Sequence, residues 1–444
     1  MGNVSPQHEL AGDTRLVRPR AKNVRWIVVV ILTLLSIINY LDRGNLSVAA
    51  PLIMKDLHMN PAAMGVILSS FVWPYAVMNL PSGWAVDKFG TKVMMSVAVG
   101  FWSVVAVATG FMRTMGTFIL TRVLLGVGES AMFPAAIKAT NAWFPKHEKG
   151  FATSIFIAGT QVGLAISPLL STALMLALGW QAMFIIIGSI GFLVLIGWLI
   201  LYKDPEKHKW LSREEFQYIR SLAVEAASGK DTVQSQNKIT VVQWVKLFGQ
   251  FSTWAMIIGD FALQYLFWFY ITWLPTYLEK SEHLSISKTG FYASLPFIAG
   301  TLGVLIGGKI SDWLIAKGMT RLNGRRYTIA LGAVLTAVAL LITAFVHNQG
   351  LAITLLTIGM FTYSLCSAPI WALATDVVES DAYVASIGSI QNFGGFLGGA
   401  FAPIVTGVLV ASFGGFAIAL IVTAILAFIS AIMYAFVLRR TIQV

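Results

Sequence analysis

Long apolar runs separated by short polar intervals set the pattern of this chain. Runs of roughly 20 residues, the length a helix needs to cross a ~30 Å hydrocarbon core, recur near 26–50, 62–84, 93–112, 115–137, 151–172, 180–202, 253–278, 289–311, 327–346, 349–372, 384–411 and 414–438. We number them spans 1 to 12. The pattern predicts an all-α integral membrane protein with twelve transmembrane helices. The longest polar interval, Lys203 to Gln250, divides them six and six, with a charged helix expected over Ser212 to Glu225. Four segments follow: a tail over 1–22, a six-helix half over 23–202, a central loop over 203–250 and a second six-helix half over 251–440.

Charge orients these segments. Arg15, Arg18, Arg20, Lys22 and Arg25 precede span 1; Lys88 and Lys92 follow span 2; Lys146 and Lys149 follow span 4; Lys203, Lys207, Lys209 and Arg213 follow span 6. Lys317, Arg321, Arg325 and Arg326 follow span 8, and Arg439 and Arg440 follow span 12. All fall on one side, and basic residues mark the cytoplasmic side, so both termini, the tail and the central loop are expected in the cytoplasm. The net charge of +11 is therefore a topology signal and not a nucleic-acid surface. The tail is basic and lacks the apolar core of a cleavable signal, so span 1 is expected to stay in the bilayer as an anchor.

Composition narrows the class further. At 57% hydrophobic and 11% charged, the chain lies far from a soluble domain, whose charged share is about 25%. One cysteine, Cys366, permits neither an internal disulfide nor a multi-cysteine metal site. Six scattered histidines supply no catalytic constellation. No enzyme activity, cofactor or metal is expected.

The polar interruptions inside the spans carry the chemistry. Span 1 holds Asn39, Tyr40, Asp42 and Arg43, span 2 holds Tyr75 and Asn79, and span 4 holds Arg122 and Glu129. Each ionisable side chain at the bilayer centre costs at least ~2.5 kcal/mol unless it faces a wet or paired interior, so these positions mark a pathway. Arg122 and Glu129 are seven residues apart and share one helical face about 10 Å apart. Two arginines suit an anion, because a guanidinium fork matches a carboxylate bidentately; two acids suit an exchangeable proton. The second half offers amides and aromatics instead: Gln264, Tyr265, Trp268, Trp273, Trp371, Gln391 and Asn392, of which Trp371 and Asn392 are the strongest cavity candidates. Asp260 and Asp376 read either as buried switches or as acids close to a membrane face, and Lys138 is expected to snorkel to the interface. Gly394, Gly395, Gly398 and Gly399 read as a helix-packing stripe.

The loop after span 2 reads Gly83-Trp84-Ala85-Val86-Asp87-Lys88-Phe89-Gly90-Thr91-Lys92. Gly65, Gly83 and Asp87 recur as Gly290, Gly308 and Asp312 at a constant offset of 225 residues, an internal repeat. Gly83, Asp87, Lys88, Gly90 and Asp312 are taken as gating residues: glycine for close helix approach, the acid for an ion pair across the loop.

This loop resembles the signature of the major facilitator superfamily. The runs Asn39 to Arg43, Arg122 to Glu129 and Ala142 to Gly150 resemble the anion:cation symporter family within it, which contains galactonate, glucarate and hexuronate transporters. The resemblance implies the major facilitator fold, alternating access between two halves, Asp42 and Glu129 as protonation sites, and Arg43 and Arg122 beside the substrate carboxylate. Tyr40, Tyr75, Trp371 and Asn392 would line the cavity. Departures from that pattern are Ala158-Gly159-Thr160 before Gln161, Ala368-Pro369-Ile370 before Trp371, and Asp260 where a glutamine is usual. The expected function is import of a small organic anion, a sugar acid or related carboxylate, by proton symport across a bacterial inner membrane, by a monomer. A sulfonated acid such as sulfoacetate, an aromatic carboxylate, and sodium-coupled or exchange transport stand as alternatives. A receptor or channel would leave the repeat and the loop motifs without a purpose.

Overall fold

A computed structural model describes residues 23–219, 241–380 and 383–442. The tail 1–22 and the second part of the helix expected over Ser212 to Glu225 lie outside the described residues. Eleven helices are long and apolar enough to span a bilayer. One of them, Glu148–Leu201, is 54 residues long. At 1.5 Å per residue that is ~80 Å, far more than one crossing. It turns back at Gly179, whose φ of 83° and ψ of 162° are open in practice only to glycine. Spans 5 and 6 are thus one merged helix, and the described residues hold twelve segments of membrane-spanning length.

The remaining spans are Val24–Asp56, Pro61–Phe89, Thr91–Thr109, Met115–Trp143, Phe251–Lys280, Ile286–Ala316, Arg321–Thr343, Gln349–Asp376, Val384–Phe413 and Ala417–Val437. Side-chain caps start several of them. Asn60 accepts from the Ala63 amide at 2.8 Å, and Asn348 accepts from Leu351 at 2.9 Å. Thr114 and Thr117 form a capping box. Such caps satisfy donors that the first helical turn leaves free, at about 1 kcal/mol each. Span 2 breaks after Ser69, span 4 after Glu129 and span 10 after Ser364. Two of these breaks flank residues of the polar set.

The start of span 1 and the end of span 12 lie at one face of the bundle. There residues 212–219 dock on the first half: the buried Glu215 accepts from the Val24 and Arg25 amides, both at 3.3 Å, and from Arg25 Nη1 at 3.0 Å. Arg25 Nε donates in turn to Glu148 at 3.0 Å.

The halves meet near the opposite, distal face. Gly65 of span 2 packs on the Pro403 carbonyl and Gly407 of span 11, and Gly290 of span 8 packs on Thr172 and Pro168 of span 5. Ser69 Oγ donates to the Ala400 carbonyl at 2.6 Å. No Cβ fits at Gly65 or Gly290, so this one pair of the 225-residue repeat lies where the halves touch. The terminal face is more open. Asp87 and Asp312, the loop acids of the two halves, are 78% and 69% exposed.

Candidate functional site

Span 1 is 33 residues, ~50 Å, and carries Asn39 to Arg43 about 22–29 Å along it, at mid-bilayer. Glu129 closes the first segment of span 4. Arg43 Nε donates to Glu129 Oε2 at 3.1 Å, with side chains 6% and 1% exposed. Three rings hold the guanidinium: Tyr40 at 4.4 Å, Tyr75 at 4.7 Å and Phe71 at 5.0 Å. Arg43 Nη2 stays buried without an acceptor.

Arg122 and Glu129 share a helical face, but two turns are too far for a direct bond. Arg43 reaches Glu129 from the neighbouring helix instead. Arg122 forms no ion pair among the described residues; its guanidinium lies 5.9 Å from the Phe184 ring and its charge acts on Asp42 and Glu129. Asp42 Oδ1 accepts from Asn45 Nδ2 at 3.4 Å, and its Oδ2 has no partner. Two cations and two acids thus occupy one buried cluster, neutral in sum, with Arg43 Nη2, Arg122 Nε and Asp42 Oδ2 unengaged. An anion can take the free guanidinium donors, and a proton can take either acid. Among the described residues no group of three His, Cys, Asp or Glu converges as a metal site would.

The structure brings together Tyr40, Asp42, Arg43, Tyr75, Arg122 and Glu129. Asn79 and Asn392 are half-buried and Trp371 is 71% exposed. None of these three has a hydrogen bond or ring contact with the cluster among the described residues. The second half reaches the cluster through other aromatics: Trp268 lies 6.2 Å from Phe71, and Phe396 lies 5.9 Å from Tyr75. A Cβ at Gly399 would fall 2.6 Å from Trp268 Nε1, so the packing stripe also makes room for that indole. Sequence reasoning missed Phe71 and Phe396. Phe71 could have been found, because it precedes Tyr75 and Asn79 at four-residue intervals and so shares their helical face.

The gating residues also depart from expectation in places. Lys138 does not simply snorkel: Nζ donates to Asp87 Oδ1 at 2.9 Å and to the Val86 carbonyl at 3.0 Å. Lys88 lies 4.7 Å from the Trp84 ring. Gly90, at φ 85°, ends the helix. Gly83 makes no close helix approach, since a Cβ there would meet nothing within 4 Å. That follows from the open terminal face. In the second half Arg325 bridges Asp312 at 2.7 Å and Asp376 at 3.3 Å, which gives Asp376 a partner.

The profile of the Major Facilitator Superfamily matches residues 32–399. The probable L-galactonate transporter of Escherichia coli is 33% identical over 96% of this chain and 91% of its own length. The probable sulfoacetate transporter SauU of Cupriavidus necator is 32% identical over 88% and 89%. The probable galactarate/D-glucarate transporter GarP of Escherichia coli is 31% identical over 96% and 97%. A bacterial homologue of the human lysosomal transporter Spinster, solved inward-facing and unoccupied, shares the fold at a TM-score of 0.77 and 18% identity, over 93% of this chain and 97% of that one. The chain belongs to the Major Facilitator Superfamily, and it is a transporter and not an enzyme.

Proposed function

We propose that this protein imports a small organic anion, a sugar acid or related carboxylate, by proton symport across a bacterial inner membrane, and that it works as a monomer without a cofactor. The observation that carries the proposal is the buried Arg43–Glu129 pair beside Arg122 and Asp42. Relatives named for galactonate, galactarate/glucarate and sulfoacetate transport support an anionic substrate. With the basic loops in the cytoplasm, the terminal face opens inward and the conformation is inward-facing.

Coupling follows from competition for Arg43. Substrate and Glu129 are both carboxylates that want the same guanidinium. When Glu129 accepts a proton from water, its hold on Arg43 weakens, and the substrate carboxylate takes the donors on Arg43 and Arg122. Asp42 stays ionised in this step and compensates Arg122. Substrate and proton then cross together, because one anion with one proton leaves the cluster as neutral as it is when empty, whereas either alone would leave an uncompensated charge at mid-bilayer.

A sulfonate or aromatic carboxylate is a second reading. It is favoured by the wall that the second half presents to the cluster, Trp268 and Phe396, and by Ala368, Pro369 and Ile370 in span 10. None of these five reads a hydroxyl through an oxygen-bearing side chain. Uptake into proteoliposomes of labelled galactonate, glucarate, glucuronate, sulfoacetate and benzoate, with and without an inward proton gradient, tests both. Accumulation of one anion driven by the gradient is expected. Accumulation driven only by sodium, or equilibration without accumulation, would reject proton symport.

A further inference from the structure

Asp260 is the buried acid that the cluster does not use. It lies in span 7, about 14 Å along the helix from Phe251 and a third of the way through its ~45 Å. That places it inside the hydrocarbon, the buried one of the two positions the sequence left open. The side chain is 4% exposed and has no hydrogen bond or ion pair among the described residues.

The seam with span 11 is shaped around it. A Cβ at Gly395 would fall 2.5 Å from Asp260 Oδ2 and 2.9 Å from Cγ of Gln264. One turn earlier on span 11, Gln391 gives Nε2 to the Ile370 carbonyl at 3.4 Å and leaves Oε1 buried without a donor. From span 12 the Tyr434 ring packs on Gly259, and its hydroxyl is buried without a partner. From span 10, Tyr363 stacks on Phe267 at 5.6 Å and feels the Asp260 charge, as Tyr434 does. Cys366, also on span 10, turns its thiol to the Ile329 carbonyl at 3.3 Å. The phenols of Tyr363 and Tyr434 and the side chain of Gln264 are the polar groups nearest to Asp260, and among the described residues no cation pairs with it.

An unpaired carboxylate inside the hydrocarbon is costly, and a neutral carboxylic acid avoids that cost. We propose that Asp260 is a second proton-binding site, separate from Asp42 and Glu129, that exchanges one proton with water of the cleft at the terminal face and that in transport takes its proton, with substrate, from the other side. No other bond changes. The use of this proton in transport rests on the symport reading above; its binding does not.

Infrared spectra of the purified full-length protein across about pH 5 to 9, the range in which buried carboxyls titrate, test the binding. Comparison of the parent with Asp260→Asn should reveal one protonated-carboxyl C=O band that the variant lacks, that fades as pH rises and that returns, displaced, in Asp260→Glu. If no band is lost, or if the lost band ignores pH throughout, the proposal is overturned. Removal of the band by sodium at fixed pH would also overturn it, in favour of a cation site. The coupling role is read from the proton-to-anion ratio, measured as a reversal potential with the anion that accumulates in the panel above. A ratio lower by one in Asp260→Asn is expected; an unchanged ratio would overturn the coupling role. A titrating band in a protein that accumulates no anion under a proton gradient would retain the site and reject symport.

Discussion

The two halves share one helical plan and divide the chemistry unequally. The first half buries Asp42, Arg43, Arg122 and Glu129 in one mutually compensating cluster. At the position offset by 225 from Asp42 the second half has Phe267, stacked on Tyr363 at 5.6 Å. The four charges of the proposed binding cluster therefore all sit in the first half, and the second half presents Trp268 and Phe396 to the rings beside them. A rocking motion between such halves breaks ring contacts worth ~0.5–1.5 kcal/mol each, whereas parting buried ion pairs would cost several times more. The asymmetry keeps the moving interface inexpensive.

The sharpest way to break this comparison is to remove charge from the first half. Arg43→Ala strips Glu129 of its partner and the substrate of a guanidinium, and truncating one member of a buried charged pair costs about 2–5 kcal/mol. A loss of roughly 30- to 5,000-fold in initial uptake is expected in proteoliposomes. Uptake within about threefold of the parent would show that the cluster is structural only. Glu129→Gln should act more selectively: gradient-driven accumulation disappears while exchange of internal for external anion persists. Equal loss of both activities would mean that Glu129 positions Arg43 without carrying the proton.

The sequence displayed the first half far better than the second. Ionisable residues inside apolar runs stand out because burying them is expensive, so Asp42, Arg43, Arg122 and Glu129 were legible from spacing and hydropathy alone. Their pairing was not. Arg122 and Glu129 lie on one helix, and only the packing of span 1 on span 4 shows that Arg43 holds the acid. Aromatics carry no such signal, since a ring inside a membrane helix is as well suited to lipid as to a cavity. Trp371, named as a cavity residue, is 71% exposed, which suits an open cavity and a lipid-facing surface alike, while Phe71 passed unnoticed and lies 5.0 Å from Arg43. Hydropathy could not place the turn at Gly179 to the residue either, because the apolar run continues through it.

A smaller effect is expected on the aromatic side. Trp268→Ala removes the ring that meets Phe71, and at ~0.5–1.5 kcal/mol for such a contact the apparent KM should rise about two- to tenfold with little change in the maximal rate. Selectivity sharpens the test. If the wall favours an apolar or aromatic anion, benzoate uptake should fall more than galactonate uptake in this variant. Equal effects on both would place Trp268 in helix packing alone.

The smallest effects belong to the two loop acids, and there the halves differ again. Asp87 meets Lys138 with side chains 78% and 38% exposed, whereas Arg325, 17% exposed, is shared between Asp312 and the nearly buried Asp376. An exposed pair contributes about 0.2–1 kcal/mol, so Lys138→Ala should shift the balance of inward- and outward-facing forms by no more than about fivefold. Arg325→Ala removes a cation from two acids, one of them sheltered from solvent, and should shift the balance further. Spin labels placed on either side of the terminal cleft would report both shifts as changes in the distance distribution. The second half supplies little charge for binding, so a larger response to Arg325→Ala would show that its charges serve to hold the open form. A larger response to Lys138→Ala would reverse that division.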